Sequence, residues 1–156
     1  MTEEQRQQWD RLSQMMIYGL EKGLWNMLGE ASLAVVGTVG QEMLEVLEKE
    51  WGLQVEGSDP KELMANIGQL FVEKMGIAES FDIEKEDSTV ALRVAKCHLM
   101  GIEAKLVEQG IQPFLCPFLN IAMAALRKRM NGATTITQFD VDPESHRCFL
   151  KFALLE

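Results

Sequence analysis

Five residues in the second half of the chain have side chains suited to metal or thiol chemistry: Cys97 and His98, Cys116, and His146 with Cys148. Thiolate and imidazole together suit zinc or iron, and four such ligands complete a tetrahedral site. On a strand, His146 and Cys148 point the same way two residues apart, near enough to share one ion. Cys116 stands between Pro113 and Pro117 in "GIQPFLCPFLNIAMAALRKRMNG", at the start of a predicted helix whose first amides favour a thiolate. The metal-ligand set expected from residue type is Cys97, Cys116, His146 and Cys148, with zinc or iron as the cofactor. The competing expectation is three ordinary buried thiols, since reduced cysteine behaves as a small hydrophobe. The spacing is not that of a zinc finger, and there is no C-x-x-C pair. Cys116 paired with His98 or His146 would make a nucleophile and base. No G-x-S-x-G, H-E-x-x-H, Walker or G-x-G-x-x-G motif accompanies them, so the residues point away from an enzyme.

The elements that must position these residues begin with helix. Thr2, with Gln5 three residues on, is an N-cap signature, and Trp9, Leu12, Met16, Leu20 and Leu24 then recur at steps of three or four to give one apolar face. A second helix is expected from Glu30, with Leu33, Val36, Gly40, Met43, Leu44, Leu47 and Trp51 on one side. Gly37 and Gly40 weaken it by up to ~1 kcal/mol each relative to alanine, so close packing of a backbone or a ligand against that side is expected. Asp59-Pro60 opens a third helix that Gly76 ends. The period then becomes twofold: Phe81 and Ile83, then Val90, Leu92 and Val94, form a hairpin around "KEDS". A short helix and a loop precede the helix Pro117 to Met130, and a second hairpin closes the sequence, with His146, Cys148, Leu150, Phe152 and Leu154 on one face. The fold class expected is α+β: an antiparallel sheet of about four strands in two hairpins, packed against several helices.

Composition bounds the function. The 156 residues carry a net charge of −9, which excludes the basic stripe a nucleic-acid or anionic-membrane partner needs. Hydrophobic residues make up 47% and charged residues 25%, a globular balance. No stretch reaches the roughly 20 apolar residues of a membrane span, and the polar "MTEEQRQQWD" start is no secretory signal. Reduced thiols and a cytoplasmic location are expected. Ten methionines, with phenylalanines and glycines, make an adaptable apolar cavity plausible.

The order of elements resembles a known family. Gly37 and Gly40 in a helix, "FDIEKEDSTVALRVAKC", "CPFLNIAMAALRKRMNG" and "TTITQFDVDPESHRCFLKFAL" look like the 4-vinyl reductase domain of hydrocarbon-binding proteins. Their wider superfamily includes core subunits of the TRAPP vesicle-tethering complex. The resemblance implies one domain over 1–156, with N-terminal helices over about 1–76 and hairpin, helix and hairpin over about 79–156. It also implies a homodimer, an apolar pocket for a hydrophobic small molecule or acyl chain, and a Cys/His metal cluster falling on Cys97, Cys116, His146 and Cys148. Where that family often has a further cysteine before the last turn, this chain has none. The pocket residues expected are Val36, Gly37, Gly40, Phe71, Phe118 and Met123. "CHLMGIEAKLVEQGIQPFLCPF" with "HRCFLKF" is also similar to amino-thiazoline-carboxylate hydrolase-like proteins, which implies a small hydrolase as the alternative to a sensor or regulatory module. A dimeric protein-interaction subunit is the remaining one.

Overall fold

The structure, a computed structural model, describes residues 1–155. Helix α1 runs Glu3–Leu28, α2 Val35–Glu45, α3 Pro60–Gln69, α4 Met100–Glu108 and α5 Pro117–Met130. Strands β1 (Ser80–Glu86), β2 (Thr89–Ala95), β3 (Ala133–Asp142) and β4 (Arg147–Leu155) form one antiparallel sheet in the order β1-β2-β4-β3. This is the α+β architecture the change of period implies, two hairpins joined along β2 and β4 and covered by helices.

Local chemistry sets each boundary. Thr2 and Gln5 close a reciprocal capping box on α1, and Asp59 accepts from the Lys61 and Glu62 amides ahead of Pro60. A 3-10 turn, Gly29–Ala34, links α1 to α2. Helices α2 and α3 both finish in a widened, π-type turn, Val46–Glu50 and Leu70–Lys74, followed by a left-handed glycine, Gly52 and Gly76. At α5 the polypeptide leaves through Asn131 in the left-handed conformation.

Packing explains one glycine directly. A Cβ on Gly40 would collide with the backbone carbonyl of Asn120 and press on Ala124, so α2 crosses α5 here at backbone contact. Helix α5 is buried from Phe118 through Leu126, and the sheet covers it with Val90, Leu92, Val94, Cys148, Leu150 and Phe152. On β3 the register shifts between Ile136 and Gln138, so the inward set changes parity from Thr134 and Ile136 to Phe139 and Val141.

Two features differ from the sequence expectation. The stripe Trp9, Leu12, Met16 and Leu20 on α1 is exposed; this helix buries its other side, around Glu21. Periodicity locates an apolar face, but whether the same chain covers it depends on the remaining elements. His146 is not the first residue of the last strand: it sits in the β3–β4 turn with φ 53°, which turns it outward from the face that carries Cys148.

Candidate functional site

Two neighbouring features converge on the start of α5. The first is a buried cluster of acids and thiols. Cys97 follows β2 just after Lys96 turns left-handed, Cys116 is the N-cap residue of α5, and Cys148 lies on β4 opposite Val94. All three are free and buried. Their electrostatic neighbour is Glu103 of α4, which is 1% exposed.

Burial raises every one of these groups above its ordinary titration range. For Cys97, burial and then the Glu103 carboxylate push the thiol up to about 12. Cys148 and Cys116 are raised for the same two reasons, in that order, and each is further opposed by neighbouring thiols of the cluster. The Leu119 amide at the head of α5 does favour a Cys116 thiolate, as a helix N-terminus should, but complete desolvation outweighs it. Burial likewise lifts the Glu103 carboxyl to about 7, with the Cys116 thiol beside it acting in the opposite sense and Glu21 adding to the rise. Yet Cys116 is not in hydrogen-bonding geometry with the acid: neither Glu103 oxygen has a partner. Three neutral thiols beside an unpartnered buried acid are poor nucleophiles, because thiolate is the reactive form.

A second buried acid holds the cysteine loop in place. Glu21 of α1 accepts hydrogen bonds from the Phe114 and Leu115 amides through one oxygen, at 2.6 and 2.7 Å. Asn120 Nδ2 donates to the Phe114 and Cys116 carbonyls at 2.8 and 3.0 Å. Pro113 and Cys116 thus belong to a segment fixed from both sides, which Pro117 ends as the first residue of α5.

The second feature is an apolar cleft of about 410 Å³ on the other side of Pro117. Met43, Val46, Leu47 and Trp51 line it from the end of α2, Phe71 and Met75 from the end of α3, and Ile77 and Pro117 close it; Glu42 is the one charged residue on its wall. Both widened helix ends face it, and such turns recur at functional sites. Beneath it the Phe71 and Phe118 rings meet edge to face, centroids 4.9 Å apart. A larger groove of about 660 Å³ between α2 and α5 is lined by Gly37, Gln41, Glu45, Glu48, Lys49, Arg127 and Lys128 among others, and is polar.

Of the pocket residues expected from sequence, Phe71 lines the apolar cleft and Phe118 lies behind it. Gly37 lines the polar groove, Gly40 forms the α2–α5 crossing, and Val36 and Met123 are core. Of the metal-ligand set, the structure gathers Cys97, Cys116 and Cys148 around Glu103, whereas exposed His146 shares a small surface groove with Cys97 and His98. Among the described residues no three His, Cys, Asp or Glu side chains are placed so that they could hold a metal ion as they stand. Sequence reasoning missed Glu103, though a signal existed: it lies between Met100 and Leu106 at steps of three, an acid inside an apolar stripe.

The family described as "Putative rubredoxin C-terminal domain" matches residues 13–151. An uncharacterised protein of Methanocaldococcus jannaschii is 28% identical over 104 residues, 67% of this chain and 62% of that protein. A protein named "Putative rubredoxin" from Methanothermobacter thermautotrophicus is 30% identical over 115 residues, 73% of this chain and 58% of that one. The chain therefore spans about three-fifths of the length of these relatives. Three solved structures share the fold. They are a trafficking protein particle complex subunit 3 from Naegleria fowleri covalently bound to palmitic acid (TM-score 0.54, 13% identity, 94% of this chain and 95% of that one), the phenol-responsive sensory domain of the transcription activator PoxR with phenol (0.53, 11%, 90% and 74%), and an unliganded Fe(II) H-NOX protein from K. algicida (0.52, 18%, 88% and 70%). Among the described residues no helix is long and apolar enough to cross a membrane.

Proposed function

The chain belongs to the "Putative rubredoxin C-terminal domain" family, and from that premise we propose that it is a small-molecule-binding module of sensory or regulatory type whose ligand is hydrophobic. The observation that carries this reading is the apolar cleft between the widened ends of α2 and α3. Its volume falls within the range of ordinary ligand pockets, roughly 300–1,000 Å³. Its walls offer dispersion contacts from Met43, Met75, Trp51 and Phe71, with Glu42 the one charged residue among them. Methionines let such a wall adapt to either an aromatic ring or an acyl chain. The fold it shares with a phenol-responsive domain and a palmitate-bound subunit supports the same class of ligand.

The test is direct titration of delipidated protein with phenol and with decanoic acid, read by Trp51 fluorescence, with Trp51→Phe as the control for Trp9 and Trp25. Saturable quenching that Leu47→Trp abolishes while the fold persists is expected. If neither probe binds and no apolar molecule co-purifies, the reading is wrong.

A second reading rests on Glu103. The two carboxyl oxygens of Glu103 are buried beside three free thiols with no hydrogen-bond partner, which a buried acid normally has. The donor chemistry, three sulfurs and one carboxylate, suits zinc or iron(II), and Cys97, Cys116, Cys148 and Glu103 are the residues that would have to draw together to hold it, since they are not placed to do so as they stand. A tetrathiolate centre is excluded within this chain, which has three cysteines. Such an ion would hold α4, α5 and the β2 and β4 ends together. Elemental analysis of tag-free protein tests it: one metal per chain that Cys116→Ser removes supports it, and a metal-free protein with three titratable thiols rejects it.

A further inference from the structure

Helix α2 and the turn that ends it border two hollows, one on each flank. Met43, Val46 and Leu47 face the apolar cleft; Gly37, Thr38, Gln41, Glu45 and Glu48 face the polar groove of about 660 Å³ that lies against α5. The groove has no part in the reading above, and its charge runs against that of the chain. Its walls hold three cations, Lys49, Arg127 and Lys128, against two acids, Glu45 and Glu48, whereas the whole chain carries −9.

Both acids are already engaged. Glu45 pairs with Lys49 one turn on, and Glu48 pairs with Lys128 and Arg129 together. Among the described residues Arg127 is left with a neutral partner: its Nη2 donates to the Thr134 carbonyl of β3 at 3.2 Å. A guanidinium carries five N–H donors in one plane, so a single bond of this kind leaves a fork of donors open.

Gly37 shows where that fork is held. A Cβ on Gly37 would lie 2.5 Å from Arg127 Nη1 and 3.7 Å from the guanidinium carbon. The guanidinium therefore rests on bare backbone of α2, in space that any other residue would fill. Glycine weakens a helix interior, and here its missing side chain is what admits the arginine. Gly37 and the Thr134 carbonyl bound the group from two elements, while the backbone contact of Gly40 with Asn120 locks α2 against α5. A donor fork held in this way loses less freedom on binding than a loose one.

We propose that this groove binds the oxyanion of a small polar molecule, a carboxylate or a phosphate, taken by two N–H groups of Arg127 on its Gly37 seat. The planar fork matches two oxygens of either group. Thr38 and Gln41 add a hydroxyl and an amide to the α2 wall, which give or take hydrogen bonds from the remainder of the molecule. The volume is that of a small-molecule site. Polar walls set its ligand apart from the apolar one assigned to the cleft.

NMR spectra of the 156-residue chain test it, titrated separately with sodium succinate and sodium phosphate against sodium chloride at matched ionic strength. Saturable shifts of the Gly37 and Thr38 amides and of Arg127 Nε–H are expected with at least one oxyanion and not with chloride. A response to one oxyanion alone identifies the carboxylate or the phosphate as the group bound. Arg127→Gln and Gly37→Ala should each weaken binding on the order of tenfold with the thermal melt retained, the second because its methyl displaces the guanidinium without removing it. Arg127→Lys keeps the charge but not the fork, and should not restore affinity. No saturable response to either oxyanion would overturn the proposal. So would a response undiminished in Arg127→Gln or Arg127→Lys, which would reduce the effect to general screening of charge. Binding in the apolar cleft is read separately at Trp51, so either site can fail without the other.

Discussion

Glu21 of α1 and Phe114 of the segment before α5 are joined by a 2.6 Å hydrogen bond from the Phe114 amide to the carboxylate, and the same oxygen also accepts from Leu115. This is the contact by which α1 fixes the approach to Cys116. Removing the acceptor should orphan two buried amides. Glu21→Ala is therefore expected to cost about 2–6 kcal/mol in urea denaturation, at ~1–3 kcal/mol per lost partner. Glu21→Gln keeps an acceptor oxygen without the desolvated charge and should lose much less.

Glu103 gives metal-stripped protein a pH-dependent stability. Burial raises its carboxyl from 4.5 to about 7, so the folded state holds the proton more tightly than the unfolded chain. The stability contributed by the neutral acid is fully present below about pH 4.5 and is lost as pH rises to about 7, a change on the order of 3 kcal/mol. Urea titrations at pH 5 and pH 8 should show this difference, and Glu103→Gln should flatten it by stabilising the protein at the higher pH.

The two glycines of α2 should respond oppositely to alanine. At Gly40 the added methyl meets the fixed Asn120 carbonyl, so Gly40→Ala should destabilise by about 1–3 kcal/mol, the usual cost of overpacking. At Gly37 it meets only the guanidinium end of the long Arg127 side chain, 2.5 Å away, which can shift at the expense of its hydrogen bond to the Thr134 carbonyl. Gly37→Ala should thus be neutral or stabilise the helix by up to ~1 kcal/mol. Thermal melts of the two variants separate these outcomes.

The Phe118 ring supports the apolar cleft from below through its edge contact with Phe71. Phe118→Ala should cost ~3–5 kcal/mol and weaken binding of phenol or decanoic acid in parallel. Loss of stability with undiminished ligand affinity would show that the cleft wall does not depend on this ring.

Thiol accessibility checks the cluster independently. With all three cysteines buried and their thiols raised, native metal-stripped protein should react with a disulfide reagent far more slowly than protein in urea, where three thiols should titrate. Fast reaction of Cys116 in the native state would contradict the buried assignment.

Much of the fold was legible in the sequence because it rests on local rules. The Thr2 and Asp59 caps, the Asn131 stop, the switch from a helical to a twofold period at Phe81, and the inward alternation of Val90, Leu92 and Val94 all depend on neighbours within a few residues, and all stand in the structure. Even the crowded glycine at position 40 announced a close approach. Tertiary structure alone decided the rest. Residue type suggested that Cys97, Cys116 and Cys148 act together, but it could not supply Glu103, because an acid within an apolar helical stripe reads as an exception until α4 is seen to turn it inward. It chose His146 from strand parity, which a left-handed turn residue breaks. The lining of the cleft was hidden because it is made by the ends of two helices that are distant in sequence and meet only after packing. For α1, periodicity determined which side is apolar. Which side is buried was settled by Glu21 and the Phe114 amide, a polar contact that no hydrophobic pattern encodes.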